Sequence, residues 1–155
     1  MRKFSELILE LSFDAKTIIW SIRGLANPIL NHMFKYYMFP ESSHKDHWIH
    51  ELETWFNDID DMNIKPKRKK LSKETYYKIL FDEFLEDIPE HTKRQRITRL
   101  LKQYPNDKSN VKVEDFDKIR DKFREFFKEM SMLLATNTYN GGIKELLEKH
   151  LGQDK

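Results

Sequence analysis

The stretch VEDFDKIRDKFREFFKEMSMLL, residues 113–134, decides the fold. Its apolar residues recur at alternating spacings of three and four, the period that places side chains on one face of an α-helix. They are Phe116, Ile119, Phe123, Phe126, Met130 and Leu133. The opposite face is almost wholly charged, so one side of the helix is expected to be buried and the other solvated. The pattern predicts a helix over about 113–136 that packs inside a bundle.

The rest of the chain shows the same helical spacing. Its 155 residues include only four glycines and five prolines, and alternating β-branched residues are nearly absent. We therefore predict an all-α fold, a compact bundle of five to seven helices in a single domain spanning 1–155. Besides 113–136, helices are expected over about 3–23, 28–38, 45–60, 73–88, 92–104 and 142–151.

Capping residues predict where these helices begin and end. Gly24 is expected to end or bend the first helix, and Asn27 followed by Pro28 is typical of the start of a new one. Ser43 and Asp46 form a pair that resembles a capping box in front of the next helix. These signals favour a break between residues 23 and 28.

Two further helices are placed by their caps and apolar stripes. Helix 45–60 is expected to pack against helix 113–136 through Trp48 and Trp55. Ser72 is the predicted N-cap of helix 73–88. Pro89 marks the end of that helix, and Thr92 opens the following one.

Composition excludes several kinds of chemistry. The chain has no cysteine, which removes disulfides, thiol catalysis and cysteine-bound zinc and fits a cytoplasmic protein. It also lacks a GxSxG elbow, a glycine-rich phosphate loop and a kinase signature, so a non-catalytic protein without a cofactor is favoured. The apolar residues of 1–20 are interrupted by charged ones, so we predict no targeting segment and no transmembrane helix.

Charge is distributed unevenly along the chain. The net charge is only +2, but residues 62–102 carry 12 basic and 6 acidic side chains, against 6 and 10 in residues 1–61. A local excess of cations is typical of a surface that binds nucleic acid or another polyanion. The middle third of the chain is therefore the first place to look for a binding surface.

Two basic segments lie in this middle third. KPKRKK, 65–70, belongs to a polar stretch that we predict to be an exposed linker over 61–71. KRQRITRLLK, 93–102, lies on a helix whose cations are expected to point mostly outward. The candidate nucleic-acid-binding residues are Lys67, Arg68, Lys69, Lys70, Lys93, Arg94, Arg96, Arg99 and Lys102. With helix 73–88 before it, the basic helix has the gross outline of a helix-turn-helix.

Two other functions remain open at this stage. The protein could be an adaptor, a subunit of a larger complex or a homo-oligomer, with Tyr36, Tyr37 and Phe39 as an exposed aromatic patch. It could also be a metal-dependent enzyme. In that case the ligands would be His32, His47 and Glu51, of which the last two have the i,i+4 spacing that lets one helix supply two donors.

The stretch ILNHMFKYYMFP, 29–40, followed by a tryptophan, resembles a family of known sequence pattern. The residues that carry the resemblance are Ile29, Leu30, His32, Met33, Phe34, Lys35, Tyr36, Pro40 and Trp48. The family is a bacterial helical domain, the twenty-ninth in the series of domains of unknown function. The likeness covers residues 29–52. It implies a small helical domain from a bacterium or phage and no particular activity, and it directs attention to His32 and Lys35.

Overall fold

The computed structural model describes residues 13–63, 69–86 and 88–152, except the side chains of Phe13, Glu83 and Phe84. Within these ranges six α-helices follow one another: α1 Phe13–Met38, α2 Lys45–Asp61, α3 Lys73–Tyr77, α4 Glu90–Gln103, α5 Phe116–Ala135 and α6 Ile143–Leu151. A π-helix, Lys78–Glu86, continues α3, and a 3-10 turn, Val113–Asp115, leads into α5. The described ranges contain no β-strand, which confirms the all-α bundle.

Helix α5 is the centre of the hydrophobic core. Ring contacts join it to three other segments: Phe123 to Phe34 of α1 (4.9 Å between centroids), Phe126 to Phe56 of α2 (5.9 Å) and Phe127 to Phe81 of the π-helix (5.8 Å). Of the six residues in the predicted stripe, all but Leu133 are fully buried, and Leu134 is buried beside it. The pattern of the opening stretch therefore predicts the core face of α5 correctly.

Helix α1 is continuous where the sequence predicted a break. It passes through both Gly24 and Pro28, and Asn27 lies on its exposed side instead of capping a new helix. A proline inside a helix costs about 3 kcal/mol relative to alanine. Burial of the apolar face on both sides of it, from Ile19 and Ile22 to Ile29 and beyond, offsets this local penalty.

Gly24 offers a direct test of the continuous α1. A Cβ atom added there would meet no heavy atom within 4 Å, and the residue is exposed. We expect Gly24→Ala to raise the free energy of unfolding by about 0.5–1 kcal/mol, because alanine restricts the unfolded chain and favours the helix. Urea denaturation measures this.

Gly141 provides the matched control for that substitution. Its φ of +84° lies in the left-handed region, which alanine adopts only with strain. Gly141→Ala should therefore lower the midpoint of the urea transition. A destabilised Gly24→Ala protein would show that the helix is broken at this position, as the capping residues predicted.

The start of α2 differs from the predicted capping box. The helix begins after His44 and has no side-chain cap, so the pairing of Ser43 with Asp46 is wrong. The hydroxyl that acts here belongs to Ser42, whose Oγ accepts from the His44 amide (3.1 Å) and donates to Asp107 Oδ2 (2.9 Å). This second bond ties the α1–α2 turn to the loop after α4, a contact between residues distant in sequence.

The two tryptophans of α2 were predicted to pack against α5, but among the described residues their close ring contacts are with other segments. Trp48 packs edge-on against Tyr104 (5.4 Å between centroids), and Trp55 lies edge-on to His32 (4.7 Å). It is Phe56 that reaches Phe126 of α5. Since both Trp55 and Phe56 lie near the boundary of the apolar stripe, the packing of neighbouring helices decides which of them faces the core.

The segment after the linker is helical but changes type. Ser72 is its N-cap as predicted, and its Oγ accepts from the Thr75 amide (3.2 Å). The predicted helix 73–88 is α-helical only over Lys73–Tyr77 and then continues as the π-helix. Such segments are rare, and apolar spacing does not distinguish them from a regular helix. Helix α4 begins two residues before the predicted Thr92, with Pro89 as its N-cap.

Candidate nucleic-acid interface

The structure describes only part of the predicted basic linker. Lys67 and Arg68 lie outside the described residues, while Lys69 is exposed. The ammonium group of Lys70 bonds both the Asp60 carbonyl and Asp60 Oδ1, and only 8% of its side chain is exposed. Together with the buried Leu71, this corrects the expectation of an exposed linker throughout 61–71, because Lys70 is occupied at the end of α2.

Lys93 also faces inward. Its Nζ lies 3.1 Å from Asp117 Oδ1 and 5.8 Å from the centre of the Phe116 ring, and 15% of its side chain is exposed. The hydrogen bond from Lys93 lowers the pKa of the Asp117 carboxyl. Lys93 therefore attaches α4 to the first turn of α5, which corrects its predicted outward position.

The outer face of α4 carries three exposed cations. They are Arg94, Arg99 and Lys102, which we call the α4 surface, and with Gln95 and Thr98 they line a groove. Arg94 Nε lies 3.6 Å from Glu90 Oε1, an exposed pair whose attraction water screens strongly. Within the described ranges, neither Arg99 nor Lys102 has a carboxylate at ion-pair distance.

Carboxylates of the π-helix could have neutralised these cations, but two of them have other partners. Asp82 pairs with Lys78 on its own helix. Glu86 accepts from Arg124 of α5, with 3.1 Å between Oε1 and Nη2. Their charges are thus compensated away from the α4 surface.

Arg96 is partly buried instead of pointing outward as predicted. Its guanidinium carbon lies 5.7 Å from the centre of the Phe34 ring, within the range of a cation–π contact. Its Nη1 is buried and has no hydrogen-bond partner among the described residues. Burial and the nearby charge of Arg99 lower the pKa of Arg96. A buried donor without a partner costs about 1–3 kcal/mol, and more when it is charged.

A polar cleft of about 220 Å³ surrounds Arg96 between α1 and α4. Its lining residues are Asn27, Asn31, Thr92, Gln95, Arg96, Arg99, Leu100 and Gln103. None of these lining residues is acidic. Sequence reasoning missed this α1–α4 cleft because Asn27 resembled a helix cap, although the i,i+4 spacing of Asn27 and Asn31 on one helix was a usable signal.

The three candidate metal ligands lie near one another, but their side chains interact with other groups or with each other. His32 Nδ1 donates to the Pro28 carbonyl (3.1 Å), and burial together with the charge of Lys35 lowers the pKa of His32. His47 Nε2 and Glu51 Oε1 are 3.4 Å apart. Across the described ranges, no three histidine, cysteine, aspartate or glutamate side chains are arranged to hold a metal ion.

The predicted aromatic patch is wrong, because Tyr36, Tyr37 and Phe39 are all buried. Phe39 packs against Tyr104 (5.3 Å between centroids), and the ammonium of Lys122 lies 5.6 Å from the Tyr37 ring. The end of α1 is thus covered by neighbouring segments. These three side chains are therefore not available to bind a partner protein in the way the adaptor hypothesis required.

A second cleft, of about 680 Å³, lies between α3, the π-helix and α5. It is mainly apolar, with Tyr77 and the 41% exposed Met132 in its wall, and the buried Ser131 hydroxyl there has no partner among the described residues. Burial, with the charges of Asp82 and Glu86, raises the pKa of Tyr77 to about 12. The two clefts share no lining residue.

Comparison with known proteins adds no relative: no family model matches the chain, and neither a curated protein nor a solved structure matches it. The resemblance of residues 29–52 to a domain of unknown function therefore rests only on the residues that carry it. Among the helices that the structure describes, none is both long and apolar enough to cross a membrane.

Proposed function

We propose that this protein is a non-catalytic binding protein whose partner is nucleic acid, contacted through the α4 surface. The proposal rests on the excess of positive charge on α4. Residues 90–103 contain five basic side chains and one acidic one, and Arg99 and Lys102 have no carboxylate at ion-pair distance in the described part of the chain. Exposed cations that no carboxylate neutralises are available to phosphates.

The placement of these cations suits a phosphate backbone. At about 100° per residue, Arg94, Arg99 and Lys102 fall within one side of the helix. They extend over about 12 Å of helix axis, a length over which a DNA duplex carries roughly seven phosphate charges. Such contacts position a protein on the backbone and do not read sequence, so we expect general affinity rather than base specificity.

Salt dependence tests the proposal. Three phosphate contacts release counterions with a slope of roughly −2.7 in log affinity against log salt, so affinity for a DNA duplex should fall about 40-fold between 50 and 200 mM salt. Fluorescence anisotropy with a labelled duplex of about 20 base pairs measures the slope. Affinity that does not change with salt would contradict a phosphate-binding surface.

Two companion measurements separate this function from its alternatives. Heparin that binds where DNA and RNA do not would assign the surface to another polyanion. A protein that self-associates or carries a stable protein partner, without affinity for nucleic acid, would favour an adaptor. Anisotropy titrations with heparin, DNA and RNA test the first alternative. Sedimentation of the purified protein tests the second.

A further inference from the structure

We infer that the α1–α4 cleft is a binding site for a single phosphate group, held by Arg96 and Arg99 from one wall and by the asparagines of α1 from the other. The inference deepens the proposed function, on which it rests for the source of that phosphate. The site itself is argued from the cleft alone.

The cleft has an excess of positive charge that the protein does not balance. Arg96 and Arg99 both line it, and none of its lining residues is a carboxylate. Arg96 keeps its buried Nη1 without a partner in the described chain, and the neighbouring charge of Arg99 adds to the penalty. An anion in the cleft would accept from the guanidinium groups of the arginines that line it and reduce the repulsion between them.

The neutral lining favours a phosphate over a carboxylate. Asn27 and Asn31 line the cleft from α1, Thr92, Gln95 and Gln103 line it from α4, and each of these side chains contains a hydrogen-bond donor. An inorganic or terminal phosphate presents three or more acceptor oxygens in a tetrahedral arrangement and carries up to two charges, so it can use donors from both walls at once. A carboxylate has two acceptor oxygens and one negative charge, so it would balance only one of the two guanidinium charges.

The cleft is connected to the α4 surface. Gln95 and Arg99 line both the cleft and the outer groove of α4. A phosphate in the cleft could therefore belong either to a free small anion or to the terminal phosphate of a polymer that continues along Arg94 and Lys102. The Phe34 ring beneath Arg96 holds the guanidinium at this position.

Titration with inorganic phosphate at constant ionic strength, with chloride as the reference anion, tests the site. Chemical shifts of the side-chain amides should move in Asn27, Asn31, Gln95 and Gln103. We expect Arg96→Met to weaken phosphate binding by about tenfold or more, because a hydrogen bond to a charged group is lost while an unbranched apolar side chain is kept. Lys118→Met, at an exposed lysine of α5 outside both the cleft and the α4 surface, should bind phosphate as the wild type does.

A second variant protects the test against loss of folding. Asn31→Ala removes a donor from the opposite wall and should weaken phosphate binding several-fold. Unchanged affinity in both Arg96→Met and Asn31→Ala, or phosphate that binds no better than chloride, would overturn the site.

The cleft and the proposed function fail in different ways. Inorganic phosphate that binds through Arg96, in a protein without affinity for DNA or RNA, would support the cleft and end the nucleic-acid proposal. If the protein binds no inorganic phosphate, and Arg96→Met leaves its salt-dependent DNA binding unchanged, the nucleic-acid proposal is supported and the phosphate site is rejected. Loss of both in Arg96→Met, with Arg94→Met affecting only DNA, would support a polymer phosphate in the cleft.

Discussion

Reversing the three charges of the α4 surface, in the variant R94E/R99E/K102E, should lower affinity for a DNA duplex by on the order of 10²–10³-fold at about 0.1 M salt. Each phosphate contact contributes close to a factor of eight at this salt concentration through counterion release, and three contacts are lost. The introduced carboxylates also repel the backbone. The slope of log affinity against log salt should become shallower by about 2.7.

The matched control reverses three exposed lysines elsewhere. K112E/K118E/K144E changes the net charge by the same amount, and Lys112, Lys118 and Lys144 are all exposed. If α4 is the binding surface, this control should lose far less affinity than the first variant. Equal losses would assign binding to overall charge, and no loss in either would reject the proposal. Circular dichroism confirms that both variants keep their helices.

Phe126→Ala should lower the free energy of unfolding by about 3–5 kcal/mol, the usual cost of removing a buried aromatic ring. Phe126 is fully buried and lies near three other rings: Phe127 at 5.2 Å, Phe56 at 5.9 Å and His150 at 6.2 Å between centroids. These rings come from α2, α5 and α6, so the cavity would weaken the junction of three helices. Urea denaturation gives the change in free energy.

Met132 provides the control on the same helix. Its side chain is 41% exposed, so truncation to alanine removes apolar atoms without opening a cavity. We expect Met132→Ala to change stability by about 0.5 kcal/mol or less. Similar losses for Phe126→Ala and Met132→Ala would mean that α5 does not form the centre of the core.

Local patterns predicted much of this architecture. The spacing of Phe116 to Met130 identified the buried face of α5, and Ser72 was recognised as a cap because its hydroxyl accepts from an amide of the following turn. Both signals depend on residues a few positions apart. Such short-range signals can be read without knowing which distant segments meet, although tertiary packing overrides the same kind of signal at Asn27 and Pro28.

The candidate site was only partly predicted. The exposed cations Arg94, Arg99 and Lys102 lie where the helical period placed them. Lys93 and Arg96 were expected outward as well, but Asp117 and Phe34 hold them against other helices. Long basic side chains can cover apolar surface while keeping their charge, so periodicity alone does not show which of them turn inward.

The sequence by itself determined that this chain is all-helical, where its central helix lies, and that its cations are concentrated in the middle third. The tertiary structure alone decided that α1 continues through Pro28, that the Tyr36–Phe39 region is buried, and that Asn27 and Asn31 face Arg96 across a cleft. The physical reason is the distance along the chain over which each effect acts. Helical period and capping act within a few residues, whereas burial and ion pairing depend on which distant helices meet.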